Sequence, residues 1–438
     1  MFDVIVACTN NFGIGRAGEM AWHCSEELRL FRAKTKGSVL IVGRKTVETL
    51  PELPGRTIIC VSRRNLSLKS ALELASTQYP HKKVFIAGGG QIYQECFRSM
   101  PEKINRVHIS FLHENVPCDT FLSINMSEWV IEESSEHKEF THYVLKRESE
   151  YGERQYLQLL NEVRHTGTIK SGRNGNTLSK FVKHLTFDLR NGFPLITTKK
   201  MFTRGVIEEL LFFLRGETNS KLLEDIGVNI WKWNTSREFL NKIGMPKRKE
   251  GMMGPMYGAQ WRHFNGSYDE DTGKMSEGVD QLEYVVNTIR TEPHSRRILL
   301  TDYNPSQVKQ GVLFPCHSII DQFYVSDGCL DMFCLIRSSD LFLGLPFNIA
   351  MAAIFLTLIA KLTKYTPRFL YLTLADAHIY EEHISAVETQ IVRQPYAFPT
   401  LEINKELHTI KDLETLTIDD FTIRNYQHHP VIKAKMIA

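Results

Sequence analysis

Val84-Phe85-Ile86-Ala87-Gly88-Gly89-Gly90-Gln91 is a short apolar run ending in three glycines, and residues 91–98 continue it with helical spacing. An apolar run of this length bounded by a turn signal reads as a buried strand. Glycines between strand and helix let backbone approach a phosphate at the helix N-terminus. The pattern repeats outward: residues 4–7, 39–42, 57–61 and 107–110 are further apolar runs. Residues 25–34 have helical spacing, with Ser25 as the expected N-cap. Strands alternating with helices predict an α/β sheet with parallel pairs, and residues 128–146 predict a closing hairpin.

The alternation stops at Lys146-Arg147-Glu148-Ser149-Glu150-Tyr151-Gly152-Glu153-Arg154, which is charged and carries no buried-strand pattern. The expected domains are therefore residues 1–149 and 150–438, with little linker. The second reads as α+β, with helices at 204–215, 280–291 and 347–362 and strands near 318–325, 329–336 and 368–375. Residues 265–277 read as a polar surface loop. Residues 341–360 carry no charge over a membrane-spanning length, but Gly344, Pro346 and Asn348 interrupt them. A core helix apolar on all sides is expected there instead of a span.

Composition narrows the function. The chain has 438 residues, and 42% hydrophobic content excludes disorder. Fifty-three basic against fifty acidic residues leave +3, so neither nucleic acid nor membrane is an expected partner. Eight cysteines without a CxxC pair, and no basic segment ahead of residues 4–8, predict reduced thiols in a cytoplasmic or other intracellular protein without a signal peptide.

Three features of the first domain bear on chemistry. The Gly88-Gly89-Gly90 turn lacks GxGxxG spacing, so an ordinary dinucleotide fold is not supported. Val42-Gly43-Arg44-Lys45-Thr46 is a second strand-to-helix corner with cations; Arg44, with Arg63 and Arg64, either grips a 2′-phosphate, favouring NADPH over NADH, or is solvated. Glu26 and Glu27 point about 100° apart on a helix. Either both are solvated acids of a first turn, or one enters an apolar pocket, where its pKa rises and it can hold a proton for a heterocycle.

In this order, Ile5-Val6-Ala7, Gly13-Ile14-Gly15, Trp22, Glu27-Leu28-x-x-Phe31, Val42-Gly43-Arg44-x-Thr46, Leu53-Pro54-Gly55-Arg56 and Gly88-Gly89-Gly90-x-x-Tyr93 resemble dihydrofolate reductase along nearly all of residues 1–146. The resemblance implies a mixed sheet with flanking helices. It implies that Glu27 binds the pterin and supports its protonation, that Ala7, Phe31 and Arg56 contact folate, and that Arg56 takes the glutamate carboxylate. It makes Gly15, Gly43, Arg44, Thr46, Arg63, Gly88 and Gly89 NADPH contacts. Ala21, Val47 and Ser110 depart from the family's usual proline, aromatic and threonine.

In the second domain, Leu313-Phe314-Pro315-Cys316-His317 holds a cysteine that either packs structurally or acts as a nucleophile. Arginines at Arg173, Arg296-Arg297 and Arg337 favour the latter, since forked guanidiniums suit a phosphate dianion. Glu209-Leu210-Leu211, Trp231, Gly254-Pro255-x-Tyr257-Gly258, Pro315-Cys316-His317, Arg337-Ser338-x-Asp340, Pro346-Phe347-Asn348 and Asp376-x-His378-x-Tyr380 resemble thymidylate synthase over residues 153–438. That resemblance implies covalent attack by Cys316 on dUMP, with 5,10-methylenetetrahydrofolate as co-substrate and no metal. Arg173, Arg337 and Ser338 would hold the phosphate, with Arg296 and Arg297 reaching a homodimer partner's site. Asn348 would read the pyrimidine and His378 with Tyr380 the ribose. Glu209 would organise proton transfer. His317, Trp231 and Asp340 complete the substrate contacts, the last two towards folate. Phe202, Ile336, Asn174, Ala375 and Ala377 depart from the usual pattern.

Both halves together resemble the bifunctional dihydrofolate reductase–thymidylate synthases of protozoa and plants. The alternative is a synthase whose reductase half only binds folate.

Overall fold

The computed structural model describes residues 1–172 and 174–437, which fall into two compact units, Met1–Glu148 and Ser149–Ala438. Arg173 lies outside the described residues.

The first unit is a seven-stranded sheet ordered Thr57–Val61, Val39–Gly43, Val84–Ile86, Phe2–Thr9, Ile104–Leu112, Phe140–Arg147, Trp129–Glu136. Its first five strands run parallel, and the last two form the expected antiparallel hairpin. Val39, Leu40, Ile41 and Val42 are all buried, as strands covered on both faces must be. The Ser25–Thr35 helix is present, but Cys24 is its N-cap and Ser25 is already its first helical residue. Leu28, on this helix, is 39% exposed.

The second unit carries a six-stranded sheet ordered Thr168–Gly172, Gly175–Asp188, Thr366–Tyr380, Cys329–Asp340, Ile320–Ser326, Leu299–Leu300. Cys329–Asp340 and Thr366–Tyr380 are parallel, which requires a crossover between them. The Gly344–Thr363 helix supplies it. It begins earlier than the expected 347–362 because Pro346 falls in the first turn, where its missing N–H has no intrahelical acceptor to lose. Asp340 Oδ1 accepts the Phe342 and Leu343 N–H groups at 2.9 and 3.3 Å, fixing the helix start. Among the described residues this one helix is long and apolar enough to cross a membrane, yet 72% of its most apolar window is buried inside the protein. Residues 265–277 are more ordered than a plain loop, since Ser267–Tyr268 and Met275–Ser276 pair as a small ribbon.

Leu356, on that helix, is fully buried. Leu356→Ala is expected to lower unfolding stability by about 2–5 kcal/mol, measured by chemical denaturation, because the packed sheet cannot collapse into the cavity.

Candidate active sites

In the first unit the candidate residues gather outside the carboxyl ends of the parallel strands, where α/β sheets hold ligands. Gly43 N donates to Gly88 O at 2.8 Å, joining two strand ends. A Cβ on Gly89 would stand 2.6 Å from Thr46 Oγ1, so only backbone fits there, directly before the Gly90–Ser99 helix. A Cβ on Gly90 would meet Thr120 Cγ2 at 2.8 Å and Ile14 Cδ1 at 3.5 Å, which brings the Gly13–Gly15 strand against the same corner. Gly15, Gly43, Thr46, Gly88 and Gly89 therefore converge. Arg44 and Arg63 are exposed, and the Arg44 guanidinium bonds Glu48 at 2.5 Å.

Of the two adjacent acids, Glu27 is the one that enters the core, at 6% exposure, while Glu26 accepts from His137 at 3.0 Å near the surface. Burial pushes the Glu27 carboxyl above the usual range, and the Ser110 hydroxyl, 3.4 Å away, partly offsets this by bonding the charged form. Ala7 sits opposite Ser110 in the parallel strand register. One helical turn from Glu27, Phe31 packs with Val47, Leu50 and Leu53 against Ile5, Leu40, Val42 and Phe85. Arg56 lies 6.0 Å from the Phe31 ring centroid and donates to Thr35 Oγ1 at 3.3 Å. The result is an acid, an apolar wall and a guanidinium in sequence.

In the second unit Cys316 sits below the end of the Cys329–Asp340 strand, its carbonyl accepting Arg337 N at 2.8 Å. Arg337 Nε also donates to Pro315 O at 3.1 Å, so the guanidinium is held beside the cysteine loop while remaining exposed. Crowding by protein raises the thiol pKa, and a hydrogen bond from Tyr257 and the charge of Arg337 act against it. Tyr257 Oη is 3.4 Å from Cys316 Sγ and accepts Cys316 N at 3.1 Å. His317 stacks on Tyr257 with centroids 4.5 Å apart, and burial lowers its pKa to about 4, so it is a neutral ring. Trp231 Nε1 donates to Glu209 Oε1 at 2.7 Å, and burial lifts Glu209 to about 7. Asn348 shares a small enclosed cavity with His317, Ser318 and Asp321.

Ser338 and Asp340 pair in register with Asp376 and His378. His378 Nδ1 lies 3.2 Å from Asp376 Oδ1, and Asp376 is itself held by Ser179 and Lys170 at 2.8 and 3.0 Å. Tyr380 packs edge-on to His378. Arg296 and Arg297 are exposed and make no ion pair among the described residues. Ile336 is fully buried on the core side of its strand, and Phe202 is 48% exposed at the start of the Thr203–Leu214 helix.

Sequence reasoning quoted Tyr257 without a role. The available signal was Gly258, where a Cβ would stand 2.3 Å from Phe213 O, so the two helices touch through backbone and press Tyr257 into place. It missed Asp302 and Asp321 entirely. Both are 1% exposed, and among the described residues none of their four carboxyl oxygens makes a well-formed hydrogen bond. Burial raises both, with their mutual repulsion adding to Asp302, and Asp321 reaches about 6.

An acid whose folded pKa exceeds its unfolded one binds more protons when folded, so stability falls as pH rises between the two values. For Asp321 that window runs from 3.8 to about 6. Asp321→Asn is expected to gain stability over the wild type across it, by on the order of 1–3 kcal/mol above the window, read from thermal melts against pH.

The sequence is similar to known proteins along both units. The dihydrofolate reductase family profile matches residues 1–150, and the thymidylate synthase profile matches residues 154–438. The chain is 37% identical to the bifunctional dihydrofolate reductase-thymidylate synthase of Paramecium tetraurelia, covering 99% of this chain and 98% of that one. It is 36% identical to the Zea mays protein of the same name and 35% to that of Leishmania major, over 99% of this chain and 96% and 95% of theirs. With both profiles matched in order and relatives alike along nearly its whole length, the chain belongs to the bifunctional dihydrofolate reductase–thymidylate synthase family.

Proposed function

We propose that the chain converts dUMP to dTMP at the second unit's site and reduces the dihydrofolate so formed, with NADPH, at the first. The observation carrying this reading is a carboxyl that burial keeps protonated in each unit: Glu209, whose charge acts on Cys316, and Glu27, beside the Ser110 hydroxyl.

In the synthase reaction the Cys316 thiolate adds to C6 of dUMP, and the electron pair moves to C5, which becomes nucleophilic. Arg337, Ser338 and Arg173 hold the phosphate, and the positive charge of Arg337 favours loss of the thiol proton. Asn348 orients the pyrimidine edge. His378, aligned by Asp376, and Tyr380 bind the ribose hydroxyl. Glu209, titrating near neutrality, hands protons through water while Trp231 keeps it in place. The methylene carbon and a hydride both come from the folate co-substrate, which leaves as dihydrofolate when Cys316 is eliminated.

In the reductase the corner of Gly43, Thr46, Gly88 and Gly89 admits only backbone at Gly89 and opens a helix, a fit for a pyrophosphate, with Gly15 beside Ile14 on the neighbouring strand and Arg44 and Arg63 exposed nearby. NADPH bound there supplies the hydride. Glu27 anchors the pterin and holds the proton that must accompany the hydride, while Arg56 pairs with the glutamate carboxylate.

A second copy of the chain completes the synthase site in this reading. One face of the six-stranded sheet buries Leu370, Leu372 and Leu374, but the other leaves Tyr371 40% and Tyr324 65% exposed, with Phe333 beside Tyr371. Such an apolar sheet face suits a self-complementary contact, which would carry Arg296 and Arg297 towards the partner's phosphate.

One cuvette tests both activities. With dUMP and methylenetetrahydrofolate, dihydrofolate absorbance is expected to rise and then to fall when NADPH is added. Cys316→Ser is expected to abolish the rise, and Glu27→Ala only the fall. Dihydrofolate that accumulates in the wild type and persists with NADPH would mean a reductase half that binds without turning over. Subunit exchange tests the shared site. A randomised mixture of inactive Cys316→Ser chains and inactive Arg296→Ala/Arg297→Ala chains is expected to recover about a quarter of wild-type thymidylate formation, because half the dimers regain one intact site of two.

A further inference from the structure

Ser110 does not support Glu27 alone. The strand register sets Ser110 opposite His142, and Ser110 Oγ lies 3.0 Å from His142 Nδ1 as well as 3.4 Å from Glu27 Oε1. Beyond, the His142 ring stacks on His108 at 6.0 Å with planes 18° apart, and His108 Nε2 lies 3.5 Å from Asp3 Oδ2. All five residues are buried, none more than 8% exposed. A file of polar groups thus crosses the sheet behind the candidate acid.

The hydrogen count on this file decides what Ser110 can do. Burial, with His108, Lys34 and His137 nearby, pulls His142 down to about 3, so the ring is neutral and carries one N–H. Ser110 also has one proton to give. His142 Nε2 is buried with no hydrogen-bond partner among the described residues. With the ring proton on Nε2, a buried donor would be orphaned, and Nδ1 would draw the serine hydrogen away from Glu27. With the proton on Nδ1, that N–H donates to Ser110 Oγ, the hydroxyl donates to Glu27, and the orphan is only a lone pair. Chained donors polarise one another, so the second arrangement strengthens the bond to the carboxylate. The Tyr93 hydroxyl, which feels the Glu27 charge, donates to Ile5 O at 2.7 Å and is occupied.

We propose that His142 is a positioning residue for the reductase: as its Nδ1–H tautomer it fixes Ser110 as donor to Glu27 and thereby sets the pH range over which Glu27 keeps its proton. This rests on the reading of Glu27 as the pterin acid, and His142 itself touches neither pterin nor NADPH. Losing the donor chain disfavours the charged carboxylate, so the Glu27 pKa rises. The falling limb of the dihydrofolate-reduction profile then moves to higher pH.

The experiment compares full-length wild type with His142→Phe, His142→Asn and Ser110→Ala. Two readouts are taken: the pH profile of NADPH oxidation, and an isotope-edited NMR titration of the Glu27 carboxyl and the His142 ring nitrogens. In His142→Phe the Glu27 proton affinity is expected to rise about three- to tenfold in both readouts, and in Ser110→Ala at least as much. His142→Asn, whose amide N–H can donate in place of Nδ1–H, is expected to restore most of it. The wild-type ring is expected to show protonated Nδ1 and no charging from about pH 5 to 9. A shift to lower pH in His142→Phe, or a protonated Nε2, would mean the serine hydrogen points at histidine and overturns the proposal. So would an unmoved limb accompanied only by a lower melting temperature, the signature of packing. If the wild type did not reduce dihydrofolate, the Glu27 reading itself would fall, while the carboxyl titration would still decide whether His142 and Glu27 are linked.

Discussion

The cost of taking an ionisable group out of water governs both sites. Burial is the largest influence on Glu27, Glu209, Cys316 and His317, and in each case it favours the neutral form. Proton-transfer chemistry near neutrality needs acids that keep their protons there, which solvated carboxylates do not. Each buried group carries few compensating bonds: one to Glu209 from Trp231, one to Glu27 from Ser110, one to Cys316 from Tyr257. A second strong donor would pull either carboxyl back towards the ordinary range, so the sparseness of partners is as functional as the burial.

The scaffolds deliver this burial in different ways. In the first unit, parallel strands end together, and glycines let backbone fill the space where side chains would stand, so the Gly43–Gly89 corner lies beside the acid's pocket. In the second, a helix apolar on every side crosses between parallel strands and carries Asn348 near its N-terminal end, while Asp340 holds the backbone that leads into it. Asp302 and Asp321 take the same cost further: burial raises both, Asp321 adds to the shift of Asp302, and Asp302 in turn raises the Cys316 thiol.

Much of this was legible in the order of residues. The strand–helix alternation, the closing hairpin, the apolar crossover helix and the glycine corners are all local patterns of period and turn chemistry. Ser25 was misread because a cap is settled by what the chain packs against: Cys24 begins the helix and bonds Glu139, 115 residues away. Residues 265–277 looked like open loop because their polarity hides a ribbon, anchored where Thr218 donates to Gly273 O.

The sequence by itself determined the two families, and it supplied the candidates for nucleophile and phosphate-binding arginines and the pair of acids to choose between, since these are carried by residue type at fixed spacing. Only the tertiary structure decided that Glu27 rather than Glu26 is buried, that Tyr257 reaches Cys316 from 59 residues away, and that His142 stands behind Ser110. The reason is physical: desolvation and hydrogen-bond pairing depend on which distant strands and helices close around a side chain, and no local pattern encodes that enclosure.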